Sequence, residues 1–247
     1  MKEWITGRNP VYEVLRAGRR DMFRIWMAEG NQDQGHIRDI LKLARQKRIT
    51  IESVPRSRMD EIHPNHQGTA AQVSAYQYAS LQEILSQARI RAEAPFILLL
   101  DLIQDPQNLG TLLRSAEGLG VHGVVIPTSR AVAVTPAVVN ASSGASEHML
   151  ITQMNLSQAI DTLKTNSNTW VYGLEYSEQA MPIEQMDFRG GIGLVVGSEG
   201  SGLRRLVRDK CDQLVNLPRL GKIDSLNAAV AGSIALYVMH TARTKKG

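Results

Sequence analysis

The sequence predicts an α/β protein of two modules: a C-terminal parallel sheet covered by helices on both faces, preceded by a smaller N-terminal α/β module. Three observations lead there. From Phe96 onward, continuous apolar runs of strand length alternate with helical stretches, as in sheets whose strands are buried on both faces. The chain has 247 residues, 43% hydrophobic and 21% charged, which are ordinary globular values that suit one large or two smaller domains. A polar stretch ending at Pro95 separates two parts of different pattern.

In the first part, Asn9-Pro10 opens a helix through Val11, Val14 and Leu15, stopped by Gly18. Met22–Met27 alternates and reads as a strand. His36–Lys47 is amphipathic, with Ile37, Ile40, Leu41 and Ala44 on one stripe. Ile49–Val54 and Ala70–Ala75 are strand-like. Residues 79–94 place Leu81, Ile84, Leu85 and Ala88 on one helical face, then turn polar, and read as a helical linker. The expected organisation is therefore a module over 1–78, a linker over 79–94 and a module over 95–247. In the last, strands fall at Phe96–Leu102, Val121–Ile126, Trp170–Leu174, Gly191–Val196 and Gln213–Leu217. Helices fall at Asn108–Leu119, Pro136–Ser142, Leu156–Lys164, Leu203–Arg208 and Leu226–Arg243.

Composition excludes several classes. The longest apolar runs, Phe96–Ile103 and Ala228–Met239, fall short of the ~18–20 residues that cross a bilayer, and no membrane partner is expected. Met1-Lys2-Glu3-Trp4 opens no apolar segment, so no secretory signal is expected. The single cysteine, Cys211, makes neither an internal disulfide nor a Cys-rich zinc site, and His63-x-x-His66 lacks a second ligand pair. The expectation is a soluble protein of a reducing compartment, without metal. Net charge is +4, and its distribution is uneven. Residues 1–94 carry 15 Lys/Arg against 11 Asp/Glu, whereas 95–247 carry 13 of each. A nucleic-acid-facing first module fits this asymmetry, although so small an excess also fits an ordinary solvated surface.

Gly118-Leu119-Gly120-Val121-His122-Gly123 spells the G-x-G-x-x-G of dinucleotide folds in the wrong context. It follows a helix and opens a strand, the reverse of what a pyrophosphate site requires, and reads as a helix stop. Three other loops follow predicted strands, where parallel sheets bind ligands. In the first, a turn at Asp105-Pro106 leads into a helix bearing Asn108 and Arg114. Taken alone, these read better as a cap and a surface residue than as functional groups. In the second, a buried strand runs into Gly197-Ser198-Glu199-Gly200-Ser201-Gly202, whose glycines admit close approach to backbone and whose carboxylate packing does not explain. In the third, Leu217-Pro218 leads through Ser225-Leu226-Asn227 into a helix rich in Ala and Gly. Ser225 would also serve as its cap.

Together, in order and spacing, these three loops resemble the three motifs of the SpoU branch of the SPOUT (TrmH-like) RNA methyltransferases. Ala141-Ser142-Ser143-Gly144-Ala145 resembles a further family stretch. Gly7-Arg8-Asn9-Pro10-Val11-Tyr12-Glu13-Val14-Leu15 and His66-Gln67-Gly68 resemble the family's accessory RNA-binding domain, which is similar to a ribosomal-protein (L30e-like) fold. The subgroup most similar is that of the bacterial 23S rRNA guanosine 2′-O-methyltransferases; Asn140 departs from it where many relatives have lysine.

The resemblance implies a trefoil knot in the C-terminal sheet, an exception to the rule against knots. It implies S-adenosylmethionine (AdoMet) as cofactor, held around Val196, Gly197, Leu217, Pro218 and Leu226. It also implies a cytoplasmic homodimer that methylates a guanosine ribose of 23S rRNA. A tRNA substrate, or a non-catalytic role in ribosome assembly, are the alternatives. Asn108, Glu199, Ser225 and Asn227 would orient ribose, phosphate and loop. Arg114 would stabilise developing negative charge rather than act as base, because guanidinium keeps its proton to above pH ~12. Arg8, Arg16, Arg19, Arg20 and Arg24 of the first module are the expected phosphate contacts.

Overall fold

A computed structural model describes residues 2–31, 35–200, 202–218, 221 and 226–244. In chain order, the first elements are β1 (Lys2–Thr6), α1 (Arg8–Ala17), β2 (Met22–Ala28), α2 (His36–Gln46), β3 (Ile51–Val54), α3 (Arg56–Asp60) and β4 (Thr69–Ser74). Then come α4 (Leu81–Ile90), β5 (Phe96–Leu100), α5 (Pro106–Gly118), β6 (Gly123–Ile126), α6 (Pro136–Ala141), a 3-10 turn at Ala145–His148, and β7 (Ile151–Gln153). The last are α7 (Leu156–Ser167), β8 (Thr169–Leu174), β9 (Met181–Pro182), β10 (Gly191–Val196), α8 (Arg205–Lys210), β11 (Gln213–Asn216) and α9 (Ala228–Thr244).

Two compact units result: residues 1–77 with 134–148, and residues 78–133 with 149–247. In the first, four strands run in the order β1-β4-β2-β3, with β4 antiparallel to both neighbours and β3 parallel to β2. Val11, Val14 and Leu15 of α1 and Ile37 and Ile40 of α2 are buried, as their spacing predicts. The chain leaves the second unit after β6, contributes α6 and the 3-10 turn to the first unit, and returns at β7. Within the first unit the Arg20 guanidinium donates from Nε and Nη2 to both oxygens of Glu147, at 3.0 and 2.8 Å. Its Nη1 reaches Glu3 at 2.9 Å and the Ser74 carbonyl at 3.2 Å. The Arg20 and Glu147 side chains are each 1% exposed. Arg20 is therefore corrected from an expected RNA contact to a buried structural cation. Removing one partner from such a pair leaves an unpaired buried charge, so Arg20→Met costs about 3–5 kcal/mol. The double change Arg20→Met/Glu147→Leu recovers much of that loss, which urea unfolding of both variants measures.

The second unit is a seven-stranded sheet in the order β7-β6-β5-β10-β8-β11-β9, every pairing parallel. Alternate residues of the apolar strands serve opposite faces. Ile97, Leu99, Val171 and Val195 pack with Leu163 of α7 and Val207 of α8. On the other face, α5 packs on α9, where a side chain at Gly232 would meet Leu112 at 2.6 Å. The expected linker over 79–94 is instead part of this core. Ile84 and Leu85 of α4 are buried with Val125 and Ile160, and Ser80 and Glu83 form a reciprocal capping box. Gly123 is small because Ile84 lies against it, 2.5 Å from where a Cβ would stand.

Within this unit His122 is buried beside Glu93. Its Nδ1 accepts the Phe96 N–H at 3.0 Å, which leaves Nε2 to donate to Glu93, also at 3.0 Å. Burial pushes its pKa below 6.5, and Glu93 opposes this less strongly. The unfolded chain thus takes up the proton first as pH falls. The stabilisation is whole above about pH 6.5 and drains away as pH drops towards the folded-state pKa. His122→Gln flattens that part of the stability–pH curve in urea titrations between pH 7.5 and 5.5.

Candidate active site

All three loops singled out by sequence leave the carboxyl ends of strands in the second unit. After β5, Asp105 caps α5 by accepting the Asn108 N–H at 3.0 Å, and Pro106 occupies the first turn, where a missing N–H costs nothing. Asn108 is thereby held in that first turn. After β10, the chain turns back within Ser198–Gly202, which exchange two backbone hydrogen bonds of 3.2 and 3.1 Å. Gly200 and Gly202 have φ of 84° and 63°, the left-handed region that side chains disfavour. The exposed tip of the turn is Glu199. Asn227 precedes α9, and its Oδ1 accepts the Ala229 and Val230 N–H groups at 3.0 and 3.1 Å.

These caps orient the cluster. With Oδ1 committed to α9, the Asn227 amide nitrogen donates to Asn108 Oδ1 at 3.0 Å and to Glu199 Oε1. That in turn leaves the Asn108 amide nitrogen facing Glu199 Oε1, at 3.4 Å. The Ala228 N–H reaches the same oxygen at 3.4 Å. Glu199 therefore sits at the N-terminus of a 17-residue helix, where the helix dipole favours an anion. Its Oε2 takes no part in these bonds.

A cavity of about 770 Å³ opens beside the cluster. Leu174–Tyr176 after β8, Val196–Gly200 after β10, Asn216–Leu217 after β11, and Leu226, Ala228 and Ala231 line it. Its size is that of a small-molecule site. Glycine and alanine leave backbone groups bare around much of the rim; two carboxylates, Glu175 and Glu199, and two guanidinium groups, Arg205 and Arg208, face it, with Arg208 paired to Glu175 at 3.1 Å.

The structure thus brings Asn108, Glu199 and Asn227 together, and Val196, Gly197, Leu217 and Leu226 line the adjoining cavity. Pro218 is exposed and is not part of the lining. Arg114 is exposed, six residues along α5 from Asn108, a rise of about 9 Å. Ser225 lies outside the described residues. Sequence reading passed over Asp101, which is fully buried and binds Arg204. Its signal was a lone acid within the apolar run Phe96–Ile103. In the first unit, Arg8 is exposed and braced by Gln67, and Arg16 is exposed beside Glu13. Arg19 spends donors on the Gln77 carbonyl and on Tyr76, and Arg24 on Gln72 and Glu52. Among the described residues no His/Cys/Asp/Glu group could hold a metal ion.

The model of the SpoU rRNA methylase family matches residues 95–237, and that of the RNA 2′-O ribose methyltransferase substrate-binding domain matches residues 4–79. YacO of Bacillus subtilis, assigned to the TrmH family of tRNA/rRNA methyltransferases, is 40% identical over 247 residues, covering 99% of this chain and 98% of its own. Among solved structures, the SpoU methyltransferase AviRb of Streptomyces viridochromogenes, crystallised with AdoMet, superposes with a TM-score of 0.80 at 22% identity, over 98% of this chain and 90% of its own. An AdoMet-bound rRNA methyltransferase of Sinorhizobium meliloti superposes with a TM-score of 0.79 at 19% identity, over 97% and 87%. Motif loops, parallel sheet and both family matches agree: the chain belongs to the SpoU (TrmH-like) family of RNA methyltransferases.

Proposed function

We propose that this protein transfers the methyl group of AdoMet to the ribose 2′-hydroxyl of a guanosine in 23S rRNA. The observation that carries the reading is the convergence of Asn108 and Asn227 on Glu199, which lines the cavity that would hold the cofactor. The lining suits AdoMet: bare backbone beside Gly197 and Leu217, and small side chains at Ala228 and Ala231. When bound, AdoMet supplies an electrophilic methyl group on a sulfonium.

The protein's work is then alignment and charge. Fixing the 2′-oxygen in line with the methyl group can remove roughly 7–11 kcal/mol of barrier. Glu199, held through Oε1, keeps Oε2 for a ribose hydroxyl or for the turn that carries it. Asn108 and Asn227 set the angle of that carboxylate. Arg114 stabilises the developing alkoxide and the neighbouring phosphate, while the proton leaves to phosphate or water. Arg8 and Arg16 on the first unit supply phosphate contacts, and the positive excess of residues 1–94 supports RNA as their partner. That work takes place in the cytoplasm.

The active protein is a homodimer through α9. Val230, Ile234 and Tyr237, spaced four and three apart, form one exposed apolar stripe, 46%, 42% and 61% accessible. Ile234→Asp/Tyr237→Glu yields a monomer in light scattering, and an unchanged mass removes this face as the interface.

Tritium transfer from labelled AdoMet to unmodified 23S RNA and unmodified total tRNA tests the function, with methylated nucleosides identified by mass spectrometry. The expected product is 2′-O-methylguanosine in 23S RNA. Label confined to tRNA overturns the substrate. No label on naked RNA or on ribosomal precursor particles overturns the enzyme.

A further inference from the structure

Asp101 follows β5 directly, is 0% exposed, and is not itself one of the residues that line the cavity. Its N–H donates to the Val196 carbonyl at 2.8 Å, the last rung between β5 and β10. Its two carboxylate oxygens serve one residue: Oδ2 accepts the Arg204 backbone N–H at 2.8 Å, and Oδ1 accepts Arg204 Nε at 2.7 Å. Arg204 stands two residues beyond Gly202, which closes the Glu199 turn, and immediately before α8. Leu203 between them is buried against Gly173, where a Cβ would meet it at 2.8 Å. On the other side Leu102, with φ of 61°, swings the chain towards the Asn108 loop.

One buried carboxylate therefore joins the roots of two loops. The loop bearing Asn108 departs from Asp101 itself. The turn bearing Glu199 ends at the residue that Asp101 grips. An apolar contact would hold these segments together but would let them slide. A two-point charged contact, one bond to backbone and one to a planar guanidinium, fixes distance and angle together. A buried carboxylate is tolerated only when so paired.

We propose that Asp101 and Arg204 are positioning residues for methyl transfer, holding the Glu199 turn in register with Asn108 without touching substrate. The inference rests on the Asn108–Glu199–Asn227 cluster being the catalytic one. Displacing reacting groups by 1 Å costs up to about 10²-fold in rate. Loss of one of the two bonds is therefore expected to lower turnover at least about 10-fold.

The test compares wild type, Asp101→Asn, Arg204→Met, their double variant and Glu199→Ala. Turnover on RNA is measured per AdoMet-binding site, with sites counted by calorimetry, so that unfolded protein does not contribute. Asp101→Asn keeps shape and one acceptor but cannot accept at both oxygens. Arg204→Met removes only the side-chain bond, because no donor stands where Nε was, and keeps the backbone one. The expected result is a kcat loss in both single variants, larger for Asp101→Asn, with the double variant no worse than Asp101→Asn. Wild-type kcat per binding site in both single variants, beside an inactive Glu199→Ala, overturns the positioning role alone. Full activity in Glu199→Ala overturns the catalytic cluster instead. Should Asp101→Asn fail to fold, Arg204→Met decides: full turnover per site overturns the proposal, and reduced turnover at unchanged thermal midpoint supports it.

Discussion

Glu199→Ala should lower kcat by about 10²-fold while leaving AdoMet affinity within a few-fold of wild type. Three donors converge on one oxygen of this carboxylate, from Asn108, Asn227 and the Ala228 backbone. Truncation releases the tip of the Gly197–Gly202 turn and frees both asparagine amides to rotate. The groups lost are ones that orient reactants rather than ones that hold cofactor, so kcat should fall and not the binding constant. Glu199→Gln separates charge from shape. Its carbonyl can still accept, but neutral hydrogen bonds are weaker than charge-assisted ones. Its amide would meet donors if it turned over. An intermediate loss, about 10-fold, follows. Asn108→Ala should resemble Glu199→Gln, because it removes one donor from Oε1 and leaves Asn227 anchored by its cap on α9. Single-turnover kinetics with saturating AdoMet measure all three. An Asn108→Ala enzyme as fast as wild type, or a Glu199→Ala enzyme that loses AdoMet affinity in proportion to rate, would sink this assignment of roles.

Much of this site was legible in the sequence because its loops advertise themselves. A strand that ends in glycines around a carboxylate has few purely structural explanations, whereas Asn108 after Asp105-Pro106 reads alone as a cap and gains meaning only beside the other two loops. The seven-stranded sheet was partly legible. Continuous apolar strands such as Phe96–Leu100 and Gly191–Val196 were plain, but Ile151–Gln153 and Met181–Pro182 are too short to show a period. Lys2–Thr6 has the right length, yet it is half polar, because only its end at Ile5 and Thr6 is buried. What pattern could not reveal was partnership across the chain. Arg20 sits among Arg16, Arg19 and Arg24 and looks like one more surface cation. Its difference is Glu147, 127 residues away. The same blindness hid Asp101, whose charge makes sense only beside Arg204. The α4 stripe was visible, but a short helix between two modules looks the same whether its apolar face covers a sheet or nothing. Ile84 against Gly123 decides it.

Gly197→Ala should abolish measurable AdoMet binding, a loss of at least about 10²-fold, in a protein that remains folded. Space rather than dihedral freedom imposes glycine here. A Cβ on residue 197 would lie 2.4 Å from both the carbon and the oxygen of Gly202, and 2.8 Å from the Leu203 nitrogen. These are backbone atoms with no rotamer to escape into. The turn must therefore open, which breaks the paired Ser198–Gly202 bonds and moves the wall of the cavity. Gly232→Ala is a contrast in kind. The nearest atom to its Cβ, at 2.6 Å, ends the Leu112 side chain, which can turn aside at modest cost. Gly118→Ala provides the neutral control, since nothing lies within 4 Å and alanine suits a helix better than glycine does. Calorimetric titration with AdoMet, run beside thermal unfolding of each variant, ranks the three. The expected order of affinity is Gly118→Ala equal to wild type, Gly232→Ala slightly weaker, and Gly197→Ala undetectable at an unfolding midpoint within a few degrees of the others. Retained affinity in Gly197→Ala would mean that the cofactor does not rest on this turn. The cavity between β8, β10, β11 and α9 would then have to serve another ligand.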